Sequence, residues 1–311
     1  MPILHVKLFG LLAIEGNAQS PLELSSKAQE LFAYLLIFRD RGHTREALAD
    51  LLWPEASNAL AQKYLRQTLW QLQSALEAVP ASSQSTPPQI LLCPGWIRLN
   101  PQASLWADLI IFEDAFKSIN NVPAHEWTPE MASQVEEALL LYQGDLLETW
   151  YQDWCLYERE RFQLTYLAML DKLMSYCEAR QHYEQGIAYG RLILRYDRAR
   201  ESTYRQLMRL YYLSGDRTTA LHEYERCVAA LQTELEIEPT EKTVALYEQI
   251  RADKLEPFGL PLLNTQLHRM HSLAPEKLEL HERLHHLNQL FVTFQRQVHQ
   301  ELYQILTALN G

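Results

Sequence analysis

"KYLRQTLWQLQ", residues 63 to 73, decides how the first third of the chain is read. At about 100° per residue, Leu65, Leu69, Leu72 and, just beyond, Leu76 fall in one narrow stripe, the buried face of an amphipathic helix. The opposite face holds Lys63, Gln67, Trp70 and Ser74, flanked by Arg66 and Gln71. A solvated face ordinarily carries Glu and Lys there, whereas amides, a tryptophan and two cations suit a face that touches something. Packing of Trp70 on a neighbouring element would also account for it, and the surrounding elements must decide.

Upstream, residues 3–24 hold short apolar runs broken by Gly10, Gly16, Asn17 and Pro21, which predicts a small antiparallel sheet. A helix over about 26–39 follows and ends at Gly42, and Thr44 caps a shorter one, "REALADLLW", stopped by Pro54. Ser57 or Asn58 opens the helix of about 58–79. After "PASSQSTPPQ" (80–89), "ILLCPGWIRLN" gives two brief strands around a Pro94-Gly95 turn. Sheet, three helices and terminal hairpin are the winged helix-turn-helix layout, whose third helix offers its outer face to the major groove while the hairpin reaches the adjacent backbone. Such modules also dock proteins, so a tetratricopeptide scaffold with a protein-binding winged helix stays open as the alternative.

From about 104 to 255 the pattern is helical. "YLSGDRTTALHEYERCV" (212–228) has the Gly-x4-Ala-Leu-x2-Tyr wording of a tetratricopeptide helix pair. "EARQHYEQGIAYGRLIL" repeats its shape one tetratricopeptide period upstream: Gln181 aligns with Gly215, Gly186 with Ala220, Ile187 with Leu221 and Gly190 with Tyr224. Such solenoids bind partners and rarely catalyse. After Pro257 and Pro261, a helix over about 276–309 carries Leu280, Leu284, Leu287, Phe291, Phe294 and Val298 at heptad spacing, which suits either a coiled coil or a cap on the solenoid.

Composition narrows the function classes. With 311 residues, 47% hydrophobic and 22% charged, the chain is expected to form more than one globular domain. The net charge of −11 is unevenly spread: residues 1–100 hold eight basic and eight acidic residues, so the excess acid lies in the remainder. If DNA is bound, the neutral part must bind it. No apolar run approaches a membrane span, and "MPILHVKLFG" lacks a signal peptide's basic start, which predicts a cytoplasmic location and no membrane partner. Cys93, Cys155, Cys177 and Cys227 are scattered and read as reduced, mostly buried residues. His281, His285 and His286 lack a clearly placed carboxylate or thiol to complete a metal site. No GxxxxGK[ST] loop, nucleophile constellation or carboxylate pair is found, so no enzyme, cofactor or metal is expected.

Several stretches together resemble the SARP-type bacterial transcriptional activators, which join a response-regulator-like winged helix to a bacterial transcriptional activator domain. "GHTREALADLLWP" (42–54) resembles the family's second helix, "LRQTLWQLQSALE" (65–77) its recognition helix, and "WADLIIFEDAF" (106–116) its link from wing to helical domain. "LYQGDLLE" (141–148), "DWCLYERERF" (153–162) and the run from 200 to 250 are similar to its helical blocks, so the likeness spans roughly residues 3–255. Two departures stand out. Gln73 and Ser74 occupy places where relatives usually carry a basic Leu-Arg-Arg block, and no GxxxxGK[ST] loop marks the nucleotide-hydrolysing module of many larger relatives, so that activity is not expected.

The expected fold is mainly α with a small β component. The expected domains are a winged helix over 1–102, a tetratricopeptide-like activator domain over 103–256, and a linker and amphipathic helix over 257–311. Lys63 and Arg66 suit phosphate or guanine, while Gln67 and Gln71 suit adenine edges. Trp70 meets thymine methyls or sugars, a second protomer or polymerase, or the core. Ser74 completes the outer face. Arg41, Arg45 and Arg98 are candidate backbone contacts, and Trp96 anchors the hairpin. Five cations in a neutral domain give one copy a weak grip, which favours two copies or a co-bound polymerase. The resemblance implies the same: direct repeats near a promoter, with RNA polymerase and its sigma factor as partners. A small-molecule or protein effector acting on the solenoid or tail is a further candidate partner, with no motif to name it.

Overall fold

The computed structural model describes residues 4–16, 20–79 and 87–255. It is mainly helical with two small sheets. β1 (Leu4–Lys7) pairs antiparallel with β2 (Ala13–Glu15), Val6 standing opposite Ile14. The expected continuation through "SPLEL" shrinks to a single bridge between Glu15 and Pro21, since proline has no N–H to extend a ladder. The third strand comes instead from β6 (Leu105–Ala107), parallel to β1.

Three helices follow the first sheet. α1 (Ser26–Ile37) buries Leu31, Phe32, Leu35 and Leu36. α2 (Arg45–Leu52) starts at Thr44, whose hydroxyl accepts from the Ala47 N–H at 3.2 Å, as its N-cap position predicts. α3 (Asn58–Glu77) buries the Leu65, Leu69, Leu72 and Leu76 stripe. The wing is β4 (Ile90–Cys93) and β5 (Trp96–Leu99), and a short β3 (His43–Thr44) joins β5.

The remaining helices are α4 (Asp108–Ile119), α5 (Pro129–Leu141), α6 (Asp153–Ala179), α7 (Tyr183–Tyr196), α8 (Glu201–Leu213), α9 (Arg217–Leu235) and α10 (Glu241–Arg251). The tetratricopeptide period is visible in backbone detail. Gln181 at φ +62° and Gly215 at φ +90° stand at equivalent turns. The His182 N–H donates to the Cys177 carbonyl at 2.8 Å, and Asp216 to Tyr211 at 2.9 Å, the same helix-ending motif twice. At the crossing of α7 and α8, a Cβ on Gly190 would lie 2.7 Å from the side-chain ends of both Leu207 and Met174, so the missing side chain lets them pack closely there. Cys155, Cys177 and Cys227 are buried, while Cys93 is half-exposed. Burial pushes the Cys177 and Cys227 thiols up to about 12, consistent with inert apolar packing.

The winged-helix and solenoid halves share one continuous core and form one compact unit. Asp108, at the first turn of α4, accepts from the N–H groups of Leu8, Phe9 and Leu109 at 2.7 to 3.0 Å. Backbone bonds from Gly10 to Asp145 and from Leu147 to Leu8 tie the β1–β2 turn to the loop after α5. Phe9 packs among Phe112, Tyr142 and Phe162 with ring centroids 4.8 to 5.4 Å apart. Trp154 of α6 meets Tyr34 of α1 edge-on at 5.3 Å. Among the described residues, no helix is long and apolar enough to cross a membrane. The heptad stretch of 276–309, with its three histidines, lies outside the described residues.

Candidate nucleic-acid interface

Local sequence positions the outer face of α3. Its four leucines pull one side into the core, and the opposite side then has no choice but to face outward. Lys63, Arg66, Gln67, Trp70, Gln71 and Ser74 are all exposed, Trp70 to 68%. Core packing of Trp70 is thereby ruled out within the described residues.

A cleft of about 700 Å³ runs between α3, the start of α2 and the wing turn, lined by Arg45, Arg66, Gln62, Glu46 and Gly95. Two of the candidate cations therefore share one concavity, with Glu46 tempering their charge. On the other flank, a smaller crevice of about 390 Å³ holds Gln67 and Gln71 against Ser25, Ser26 and Lys27 at the start of α1. There the Ser25 hydroxyl approaches Gln71 Oε1 at 3.5 Å, so Gln71 is partly committed while Gln67 is not. Lys63, Trp70 and Ser74 form the crest between these flanks.

The wing is braced rather than loose. A Cβ on Gly42 would sit 2.8 Å from the Trp96 ring, so the absence of a side chain there lets Trp96 pack flush and anchor the hairpin, as anticipated. Arg98 is half-buried with its guanidinium carbon 5.5 Å from the Trp96 ring centroid, and its Nε has no partner among the described residues. Arg41 is exposed and lies 5.3 Å from the Phe38 ring centroid, outside both clefts. The structure thus joins Arg45 to Arg66 but gathers neither Arg41 nor Arg98 with them.

His43 supports the start of α2 from inside. It is buried, its Nε2 lies 3.1 Å from the Phe38 carbonyl, and its ring meets Tyr34 edge-on. Burial holds its pKa below the usual imidazole value; the Phe38 carbonyl works against this and the nearby Arg41 charge with it. The sequence reading missed the Ser25 to Lys27 segment at the interface. The available signal was "SSK" ahead of an apolar-periodic run, which was legible only as a helix start. Among the described residues, no three His, Cys, Asp or Glu side chains gather to hold a metal.

Comparison with known proteins agrees with this architecture. Residues 107–251 match the family described as the bacterial transcriptional activator domain. The chain is 24% identical over 260 residues to the transcriptional regulatory protein MoaR1 of Mycobacterium tuberculosis, covering 76% of this chain and 79% of that one. The MoaR1 protein of Mycobacterium bovis gives the same figures. The solved structure of Mycobacterium tuberculosis EmbR in complex with a low affinity phosphopeptide superposes with a TM-score of 0.63 at 22% identity, over 82% of this chain and 67% of that one. A winged-helix fold that runs without a break into a segment matching the bacterial transcriptional activator domain, with transcriptional regulatory proteins among its relatives, makes this chain similar to the SARP-type bacterial transcriptional activators and supports its reading as a DNA-binding transcriptional regulator.

Proposed function

We propose that α3 lies in the major groove of promoter DNA, with Lys63 and Arg66 contacting phosphate or guanine and Gln67 and Gln71 facing adenine edges. Arg45 lines the same cleft as Arg66 and positions the backbone beside it, while Arg41 and Arg98 contribute from the outer turn and the wing. The observation that carries this reading is an outer helix face left bare from Lys63 to Ser74 while its inner stripe is wholly packed. Residues 1–102 act as the DNA-binding domain and 103–256 as the activator domain, in the cytoplasm.

Few cations line the face, so one copy grips DNA weakly. Tight binding then requires two copies on direct repeats, or RNA polymerase and its sigma factor bound alongside. The acidic solenoid faces away from DNA and supplies the surface for those protein contacts.

The test is a mobility-shift titration of the full chain on promoter DNA over a range of salt. Wild type is expected to select its promoter and to weaken steeply with salt. The Lys63→Ala/Arg66→Ala variant is expected to bind more weakly, with a slope of log affinity against log salt shallower by about two. Unchanged promoter binding by that variant would show that α3 is not the reading helix.

A further inference from the structure

We propose that Trp70 is a specificity determinant that reads the C5-methyl group of thymine, and that α3 therefore selects A·T pairs at the centre of its half-site. This rests on the reading of α3 as the recognition helix and goes one step further, to the base it prefers.

Trp70 is 68% exposed in the middle of α3, and it makes no hydrogen bond or ring contact with another described residue. An indole offers one N–H donor and otherwise a broad apolar surface. The major groove offers one apolar feature to match it, the thymine methyl. Gln67 stands about one turn before Trp70, on the flank next to the crest, and has no hydrogen-bond partner among the described residues. A glutamine amide pairs with N6 and N7 of adenine, and the adenine's own partner carries the methyl. One A·T pair thus satisfies both side chains, which neither G·C orientation does. A protein partner seated on Trp70 would also cover the flanking Lys63 and Arg66 and take the two cations away from DNA. Position and chemistry therefore favour a base over a second chain.

The test replaces the thymines of one footprinted half-site with deoxyuracil, removing only the methyls, and measures binding of the full-length wild type, Trp70→Ala and Trp70→Phe. Each methyl that meets the indole is expected to be worth about fourfold in affinity. Wild type should lose that factor on the uracil site, Trp70→Phe should lose part of it, and Trp70→Ala should bind thymine and uracil sites alike. Because Trp70 is exposed, the variants should keep the wild-type circular dichroism spectrum. If wild type is indifferent to the methyls, or loses the same factor as Trp70→Ala, the inference is overturned. The Lys63→Ala/Arg66→Ala variant separates the two claims: weakened binding there without a methyl effect sinks only the role of Trp70, whereas unchanged binding there sinks the helix assignment itself.

Discussion

Asp108 shows how one residue can join two halves of a chain. It is 2% exposed, and every hydrogen bond recorded to its carboxylate comes from a backbone N–H group of Leu8, Phe9 or Leu109. Burial raises its pKa from 3.8 to about 6, against the pull of those N–H groups and of Lys7. Because the folded value lies above the unfolded one, the contribution of this group to stability is full below about pH 4 and fades as pH rises through 6. The swing is roughly 3 kcal/mol. Urea midpoints at pH 4.5 and pH 7 should reveal it: wild type loses stability relative to Asp108→Asn as pH rises, and a constant difference would refute the assignment. At this scale the sequence was informative wherever the cause was local. The Thr44 cap depends on residues three apart, and the outward direction of Trp70 follows from the leucine stripe beneath it. The approach of Ser25 to Gln71 and the packing of the Trp96 ring against Gly42 depend on folds of the chain that no short window contains.

The elements tell a similar story. The 34-residue period was legible because Gln181 and Gly215 recur at equivalent turns, and both prove to be left-handed. Gln181 bears the steric cost of that conformation, which glycine escapes. Replacing Gln181 with glycine should raise stability by about 0.5 to 1 kcal/mol, and Gly215→Gln should lower it by a similar amount. Thermal denaturation of the pair checks this, and equal effects of the same sign would contradict it. Gly190→Ala places a methyl group against the side-chain ends of Leu207 and Met174, and the overpacking outweighs the helix gain by at most about 2 kcal/mol in a urea titration. By contrast, β6 was read only as part of a link. A three-residue strand has too few alternating positions to reveal its partner, and the partner here lies about 100 residues away.

For the whole molecule, the shared core predicts joint unfolding. Urea titration of residues 1–255 should give coincident transitions by tryptophan fluorescence and far-ultraviolet circular dichroism. Two separated transitions would mean that the halves are thermodynamically independent. A fragment of residues 1–102 lacks β6 and Asp108 and leaves the β1 edge and the Leu8 and Phe9 N–H groups without partners. Such a fragment should be much less stable than one extended through α4. The fold class was legible from patterning, but this fusion was not, because the charge balance shifts after about residue 100 while the hydrogen bonding runs across it.

The parallel pairing of β1 with β6 also sets a rule for recombination. Leu105 to Ala107 complete the first sheet of the winged-helix half and lead directly into the first helix of the helical half. Hybrid regulators made by exchanging DNA-reading modules among such chains would have to carry this strand and Asp108 with the incoming module, and match the 145–148 loop of the host. A splice at the apparent compositional seam would sever a sheet, so sequence drift within each module is an easier route to a new promoter than exchange of modules.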